Sequence, residues 1–498
     1  KRRKVLVCCI YDNFELLNQM KTEIVNQSSS YINGQWSATD EKIILQNPAN
    51  LSTNIKEIYF ASPQNAKKSI LSADDAFTKW KSTSIDYRIS LLKDLMSSLK
   101  KNKKSLSQLI TLENGKTIKE STGEVDAAIL EGNYQIEFLM HNLYESIENN
   151  KLYYEPLGVA LLITPWNFPL STVIRKMIPA LICGNTIVLK PSEFSSLTSI
   201  FLFELIDNIS LPNGVANLVL GEGSIVGPSL MESSALKIVS FTGSTDTGES
   251  IQNEIGSNDI RYQAEMGGSN ALVIWDDAEI EKAVEATVAS GMACAGQWCT
   301  GISKLVIHEN IYDNVMRSLI KAVKNINVGD GSFTTTDMGP LNNLPQLNKM
   351  KNYVERAVEQ GAEVIIGGES IKSDNKDGYF FSPTLLSNVN DRMEIASEEI
   401  FGPIINIFKT KDIESAISFS NLGKYGLSFS IYTADNKIAE TFIKEIDASL
   451  CHVNLPTPYR DVAMPFSGWK QSGKGIPESG RFARDAFTKP KVVYSDNS

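Results

Sequence analysis

The chain has 498 residues, of which 42% are hydrophobic and 21% charged, and it carries a net charge of −10. That length exceeds one simple core and predicts two or three domains of ordinary globular composition, not wholesale disorder. The negative balance argues against a general binder of nucleic acid or anionic membrane, and no run of 18 or more apolar residues is present to span a bilayer.

The first stretch, KRRKVLVCCIYDNFELLNQMK, superficially suggests a signal peptide. Its apolar part, Val5 to Ile10, is too short, and no small-residue cleavage site follows. Met20 stands just before the patterned sequence, so residues 1–19 are expected to be an extension outside the fold. The basic tetrapeptide can be read as a localisation signal or as solvated charge. From about residue 64 to 150, apolar residues recur at three- and four-residue intervals, as in AKKSILSADDAFTKW and YRISLLKDLMSSLKKNKKSLSQLITLENG, which predicts amphipathic helices with Gly115 as a C-cap.

From residue 155 the rhythm changes. GVALLITPWNFP, NTIVLKPSE, GVANLVLGEG and ALKIVSFTGS are short apolar runs ending in Gly, Pro, Ser or Thr and separated by helical stretches. That alternation predicts βαβ units and a buried parallel sheet. A second set follows in SKLVIHE, AEVIIGG, IINIFKT and LSFSIYT, so two α/β domains are expected, dividing near residues 265–285. NNKLYYEP (149–156) and the late KVVY are isolated strand candidates that could pair across subunits.

In open α/β sheets, ligands bind at the carboxyl ends of the strands. Those ends carry Pro165, Trp166, Asn167, Phe168 and Pro169; then Lys190, Pro191, Ser192 and Glu193; then Thr242, Gly243, Ser244 and Gly248. Prolines on both sides would fix the Asn167 amide, although that residue could equally cap the next helix. Lys190 and Glu193 could hold a ribose diol or form a solvated pair. GSTDTG before a helix could seat a pyrophosphate, but it does not match the G-x-G-x-x-G fingerprint.

Six cysteines without regular spacing form no disulfide framework and no zinc-ligand pattern, so a metal site is not expected and a reducing, cytoplasmic setting fits best. Cys183 and Cys294 read as packed residues, and Cys451 has no assigned role. Cys299, in AGQWCTG, and Glu265, in QAEMGGSN, place a thiol and a carboxylate in separate loops, which suits covalent catalysis with a general base for a later step. Taken singly, either residue could be structural.

Taken together and in order, TPWNFP, LKPSE, FTGSTDTG, EMGGSN, GQWCT, EEIFGPI and PFSGWKQSGKG resemble the aldehyde dehydrogenase superfamily, over roughly residues 31–495. The resemblance implies two doubly wound parallel-sheet α/β domains, one Rossmann-like for the cofactor and one catalytic, plus a small β-arm for oligomerisation. It divides the chain into 20–144 and 160–265 for the cofactor, 266–479 for catalysis, and 145–159 with 480–498 for assembly into a homodimer or homotetramer. It implies Cys299 as nucleophile, Glu265 as the base for the deacylating water, and Asn167 with the Cys299 N–H as oxyanion donors, each donor typically worth ~3–4 kcal/mol. The cofactor, NAD with NADP possible, would lie along Thr164, Pro165, Trp166, Lys190, Ser192, Glu193, Gly223, Gly227, Phe241, Thr242, Gly243, Ser244, Met266, Gly267, Glu399 and Phe401.

The implied reaction passes through a thiohemiacetal, hydride loss to the nicotinamide, and a thioester that water hydrolyses to the carboxylate. Glu265 favours this hydrolytic branch over the CoA-acylating one, which lacks that glutamate. Glu193 favours NAD, because its carboxylate would repel the 2′-phosphate of NADP. Arg175 falls where succinic semialdehyde dehydrogenases bind the distal carboxylate, while their second arginine is Ala293 here. QAEMGGSNALVI and VNLPTPYRDVAMPFSGWKQSGKG look closest to the branch oxidising α-ketoglutaric semialdehyde (2,5-dioxopentanoate). Arg460, Phe168, Trp298 and Thr300 complete the expected substrate contacts. The alternatives are a dehydrogenase of neutral aldehydes such as glyceraldehyde, with Arg175 in a helix-surface or interface salt bridge, and a catalytically silent binding protein of the same fold.

Overall fold

The computed structural model describes residues 25–39, 41–256, 259–373 and 377–495. The basic tetrapeptide and the expected 1–19 extension lie outside the described residues. Helices Pro63–Lys81, Ile85–Lys101, Lys103–Asn114 and Ile118–Asn142 occupy the stretch whose apolar spacing predicted them. Ser62, Ser84 and Thr117 cap three of them by accepting from the backbone N–H groups of Asn65, Tyr87 and Glu120. Gly115 closes the third at φ 91°, donating to Thr111 O. The helical reading to residue 150 is corrected at its end. Tyr144–Ile147 is a strand, turned back through Glu148 at φ 54° so that Tyr144 lies opposite Tyr153 with ring centroids 5.1 Å apart.

The first sheet has five parallel strands at its centre, in the order Ala216–Leu218, Thr186–Pro191, Val159–Thr164, Leu236–Thr242, Arg261–Glu265. Numbered along the chain this is 3-2-1-4-5, which places the switch in winding direction between Val159–Thr164 and Leu236–Thr242. Alternate side chains face opposite cores. Ala160, Leu162, Ile187 and Leu189 pack with the long helices, while Val159, Leu161, Val188 and Phe241 pack on the other side. Short antiparallel strands finish the edges, Ser30–Ile32 with Gln35–Ser37 at one and Gly473–Lys474 at the other.

The chain passes to the second sheet over residues 266–269. Its strands run Glu363–Ile366, Thr384–Ser387, Ile404–Thr410, Ile302–His308, Asn270–Ile274, Ser428–Tyr432, Leu450–Val453, and only the first is antiparallel to its neighbour. The fold is thus α/β with two mainly parallel sheets. The strand candidates at 149–156 and 491–494 do not await another subunit for pairing. Asn150–Pro156 and Thr488–Val493 pair with each other, antiparallel, in one three-stranded sheet. Helix Phe482–Phe487 brings the late strand there, and the Arg484 guanidinium lies 3.6 Å from the Tyr154 ring centroid. Among the described residues no helix is long and apolar enough to cross a membrane.

Candidate active site

The carboxyl ends of Val159–Thr164, Thr186–Pro191, Leu236–Thr242 and Arg261–Glu265 open onto a cavity of about 1240 Å³, lined by all the expected catalytic, cofactor and substrate residues, while Pro169, Pro191 and Gly248 stand behind its wall. The nucleophile candidate sits on a sharply bent loop. After helix Ile280–Met292, Cys294 and Ala295 both take φ 53° and Gly296 takes φ 69°. A Cβ on Gly296 would stand 2.1 Å from Gly402 O, so this step requires glycine. The bend is held by Glu120, whose carboxylate accepts from the Cys294 N–H at 2.7 Å. Cys294 is therefore a buried backbone support.

Asn270, buried at the start of its strand, grips the next turn. Its Nδ2 donates to Cys299 O (2.7 Å) and Gly301 O (2.8 Å), and its Oδ1 accepts from Ser428 N (3.0 Å). It closes the EMGGSN motif, but the sequence assigns it no role, because an Asn opening an apolar strand is unremarkable in pattern. The Asn167 amide donates to Gln297 O at 3.0 Å, two residues before Cys299, and its second N–H is left for a ligand. Asn167 does not cap the following helix. That task falls to Glu124, which accepts from Leu170 N and Ser171 N and is itself paired with buried Lys116 at 2.7 Å. The Lys116 ammonium also lies 3.5 Å from the Phe168 ring centroid, and Phe168 packs on Trp298 at 4.9 Å. Burial pushes the Cys299 thiol up to about 12, with Arg175 opposing the shift.

Glu265 ends its strand at 2% exposure, and neither carboxyl oxygen has a hydrogen-bond partner. Burial raises its pKa well above the usual carboxylate range and Glu478 adds to the rise, while Lys176, Arg175 and the nearby Ser467 hydroxyl oppose it. Lys176 and Glu478 form a buried ion pair that sequence spacing could not reveal, since 302 residues separate them. Arg175 makes no helix-surface bridge. It faces inward, 3.5 Å from Glu478, with its guanidinium 4.9 Å from the Phe466 ring centroid. Arg460 lies over the same ring at 5.5 Å, pairs with Glu131 and donates to Ser479 Oγ at 2.6 Å. The Nε atoms of both arginines are shielded from solvent and have no partner.

The rest of the cavity has the features of a dinucleotide site. Lys190 Nζ stands 3.7 Å from Glu193 Oε2. Ser244 caps helix Thr245–Ile255, whose N-terminus faces the cavity with Gly243 and Thr247. The hydroxyls of Thr164 and Thr242 are buried without partners. Glu399 accepts from Gly268 N at 3.2 Å, and a Cβ on Gly267 would lie 2.4 Å from that carboxylate, so the glycine leaves it room. Phe401, at φ 58°, meets Trp166 edge to face at 5.5 Å. A helix N-terminus with Gly243 and Ser244, and the carboxylates of Glu193 and Glu399 on the same cavity wall, suit NAD(P).

The chain is 34% identical over 478 residues to the alpha-ketoglutaric semialdehyde dehydrogenase of Bacillus subtilis, covering 94% of this chain and 98% of that one. It is 35% identical over 457 residues to the 2,5-dioxopentanoate dehydrogenase of Saccharolobus solfataricus, covering 90% and 95%. Its fold superposes on betaine aldehyde dehydrogenase from Staphylococcus aureus in complex with NAD+ with a TM-score of 0.91 at 31% identity, covering 95% and 97%. The aldehyde dehydrogenase family model matches residues 36–493, from the first sheet's edge strand to the last strand of the three-stranded sheet. With a thiol loop, a buried carboxylate and an amide lining one cavity, and that match over almost the whole chain, the chain belongs to the aldehyde dehydrogenase family.

Proposed function

We propose that the protein oxidises an acidic semialdehyde of the 2,5-dioxopentanoate or succinic semialdehyde type to its carboxylate, with NAD preferred. The observation that carries the substrate class is the placement of two cationic side chains, Arg175 and Arg460, on the wall of the cavity that holds Cys299. Guanidinium groups favour carboxylate partners, so a cavity wall that carries two of them suits a substrate with an anionic end. The likeness to two dehydrogenases of that semialdehyde supports the same reading. Glu193 beside Lys190 supports NAD, since a carboxylate at the adenosine ribose repels a 2′-phosphate.

In this reading the Cys299 thiolate adds to the aldehyde carbon, and the free Asn167 N–H and the Cys299 backbone N–H stabilise the oxyanion. Bound NAD(P) supplies the hydride acceptor. Hydride loss from the adduct leaves a thioester on Sγ. Glu265 then removes a proton from the attacking water, and the burial that raises its pKa makes it a stronger base than an exposed carboxylate. Trp298, Phe168 and Thr300 shape the aldehyde's path, and a reducing compartment such as the cytoplasm keeps Cys299 a free thiol. The exposed Ile147, Val492 and Val493 on the three-stranded sheet, with Thr488–Val493 at its open edge, support a homodimer or homotetramer.

The test is kcat/KM for 2,5-dioxopentanoate, succinic semialdehyde and a neutral aldehyde of equal length. Arg175→Ala should cost about 100-fold with the acids and less than about 3-fold with the neutral aldehyde, as expected for loss of a charged hydrogen-bonded contact. Equal losses on all three would refute the acidic reading.

A further inference from the structure

Strand Ala216–Leu218 leads into helix Gly223–Met231, whose N-cap residue is Glu222. N-caps are ordinarily Ser, Thr, Asp or Asn, whose short side chains reach back to the first free N–H groups. Glu222 makes no capping hydrogen bond, and among the described residues it has no ion-pair partner. Its side chain is exposed on the cavity wall, close enough to Lys190 to act on that ammonium's charge. The start of that helix neighbours the lysine, since a Cβ on Gly223 would lie 3.6 Å from Lys190 Nζ, in ordinary contact. Glu193 approaches the same ammonium from another element.

A buried ammonium beside a helix N-terminus is, by itself, a receptive phosphate site. Here two carboxylates flank it, so the group carries one more negative than positive charge. Thr164 and Thr242, whose hydroxyls have no protein partner, line the same cavity. We propose that Glu222 is a specificity-determining residue that, together with Glu193, repels a 2′-phosphate at the adenosine ribose and so selects NAD over NADP. The inference rests on the proposed reading of the cavity as the dinucleotide site with Lys190 and Glu193 at that ribose.

Dissociation constants for NAD and NADP, read from quenching of tryptophan fluorescence in the full chain without aldehyde, test this directly; Trp166 and Trp298 line the cavity. The variants are Glu222→Ser, which supplies a good N-cap, Glu222→Gln, which keeps the shape, and Glu193→Gln. Both Glu222 variants should tighten NADP about tenfold and move NAD less than about twofold, with the gain shrinking at high salt, as for removal of a near-surface like charge. If Glu193→Gln tightens NADP while neither Glu222 variant does, the inference fails and the cofactor reading stands. Equal changes for both nucleotides would also overturn it. A wild-type protein that binds neither nucleotide, or that prefers NADP, would overturn the cofactor reading itself.

Discussion

Replacing Asn270 by Asp changes one atom type and almost no volume, yet it removes the two donors that hold the nucleophile loop. The Oδ1 bond from Ser428 N is kept, while the bonds to Cys299 O and Gly301 O, 2.7 and 2.8 Å long, are lost. Each is a buried amide-to-carbonyl bond worth about 1–1.5 kcal/mol net, and a carboxylate facing two carbonyl oxygens adds repulsion. A protonated Asp restores at most one of the two. The expected cost is therefore about 2–4 kcal/mol, shared between lower stability and displacement of Cys299, and a 1 Å misplacement of a reacting group can cost about 100-fold in rate. The assay pairs chemical denaturation with kcat and with the rate of Cys299 alkylation by iodoacetamide. Lower stability with wild-type kcat and wild-type alkylation would show that the loop is positioned by other contacts and would refute the reasoning.

Two further outcomes concern the reacting groups. Glu265→Gln should retain a stoichiometric burst of NADH while steady-state turnover falls about 10²–10⁴-fold, the usual range for loss of a general base; rapid-quench kinetics with undiminished turnover would remove Glu265 from deacylation. Without cofactor, alkylation of Cys299 should rise tenfold per pH unit from pH 7 to 10 with no plateau, because burial holds the thiol near 12 and only the thiolate reacts. A plateau below pH 9 would contradict that electrostatic picture.

The parts of the site that sequence made legible are those punctuated by Gly, Pro and Thr at strand ends, where the backbone itself demands particular residues. Cys299, Glu265, Lys190 and Ser244 all fall on such ends or loops. Asn167 was ambiguous because a short polar residue before a helix serves equally as a cap. Only the fold shows that Glu124, on another helix, satisfies that helix N-terminus instead. The pairing of Lys176 with Glu478 left no trace, and the grip of Asn270, although it closes EMGGSN, was not legible either, since their partners lie up to 302 residues away and pairing at that distance has no local pattern. Of the hairpin at residues 144–156, the second strand was read from the sequence and the first, Tyr144–Ile147, was missed for the opposite reason. Its first strand follows a 25-residue helix directly, and its register comes from the late strand beside it.

The late chain does more than complete a hairpin. Gly473 and Lys474 pair with Glu265 and Ala264, Ser472 O receives the Met266 N–H, Glu478 meets Lys176, and Phe487 O receives the Asn185 side chain. During synthesis, therefore, the edge of the first sheet that carries Glu265 stays open until more than 200 further residues have emerged, and closing it is a long-range, entropically slow event. Assembly order and activity are coupled as a result. The central strands of the first core lie within residues 159–265, whereas part of the surroundings of Glu265 is contributed by residues 472–478.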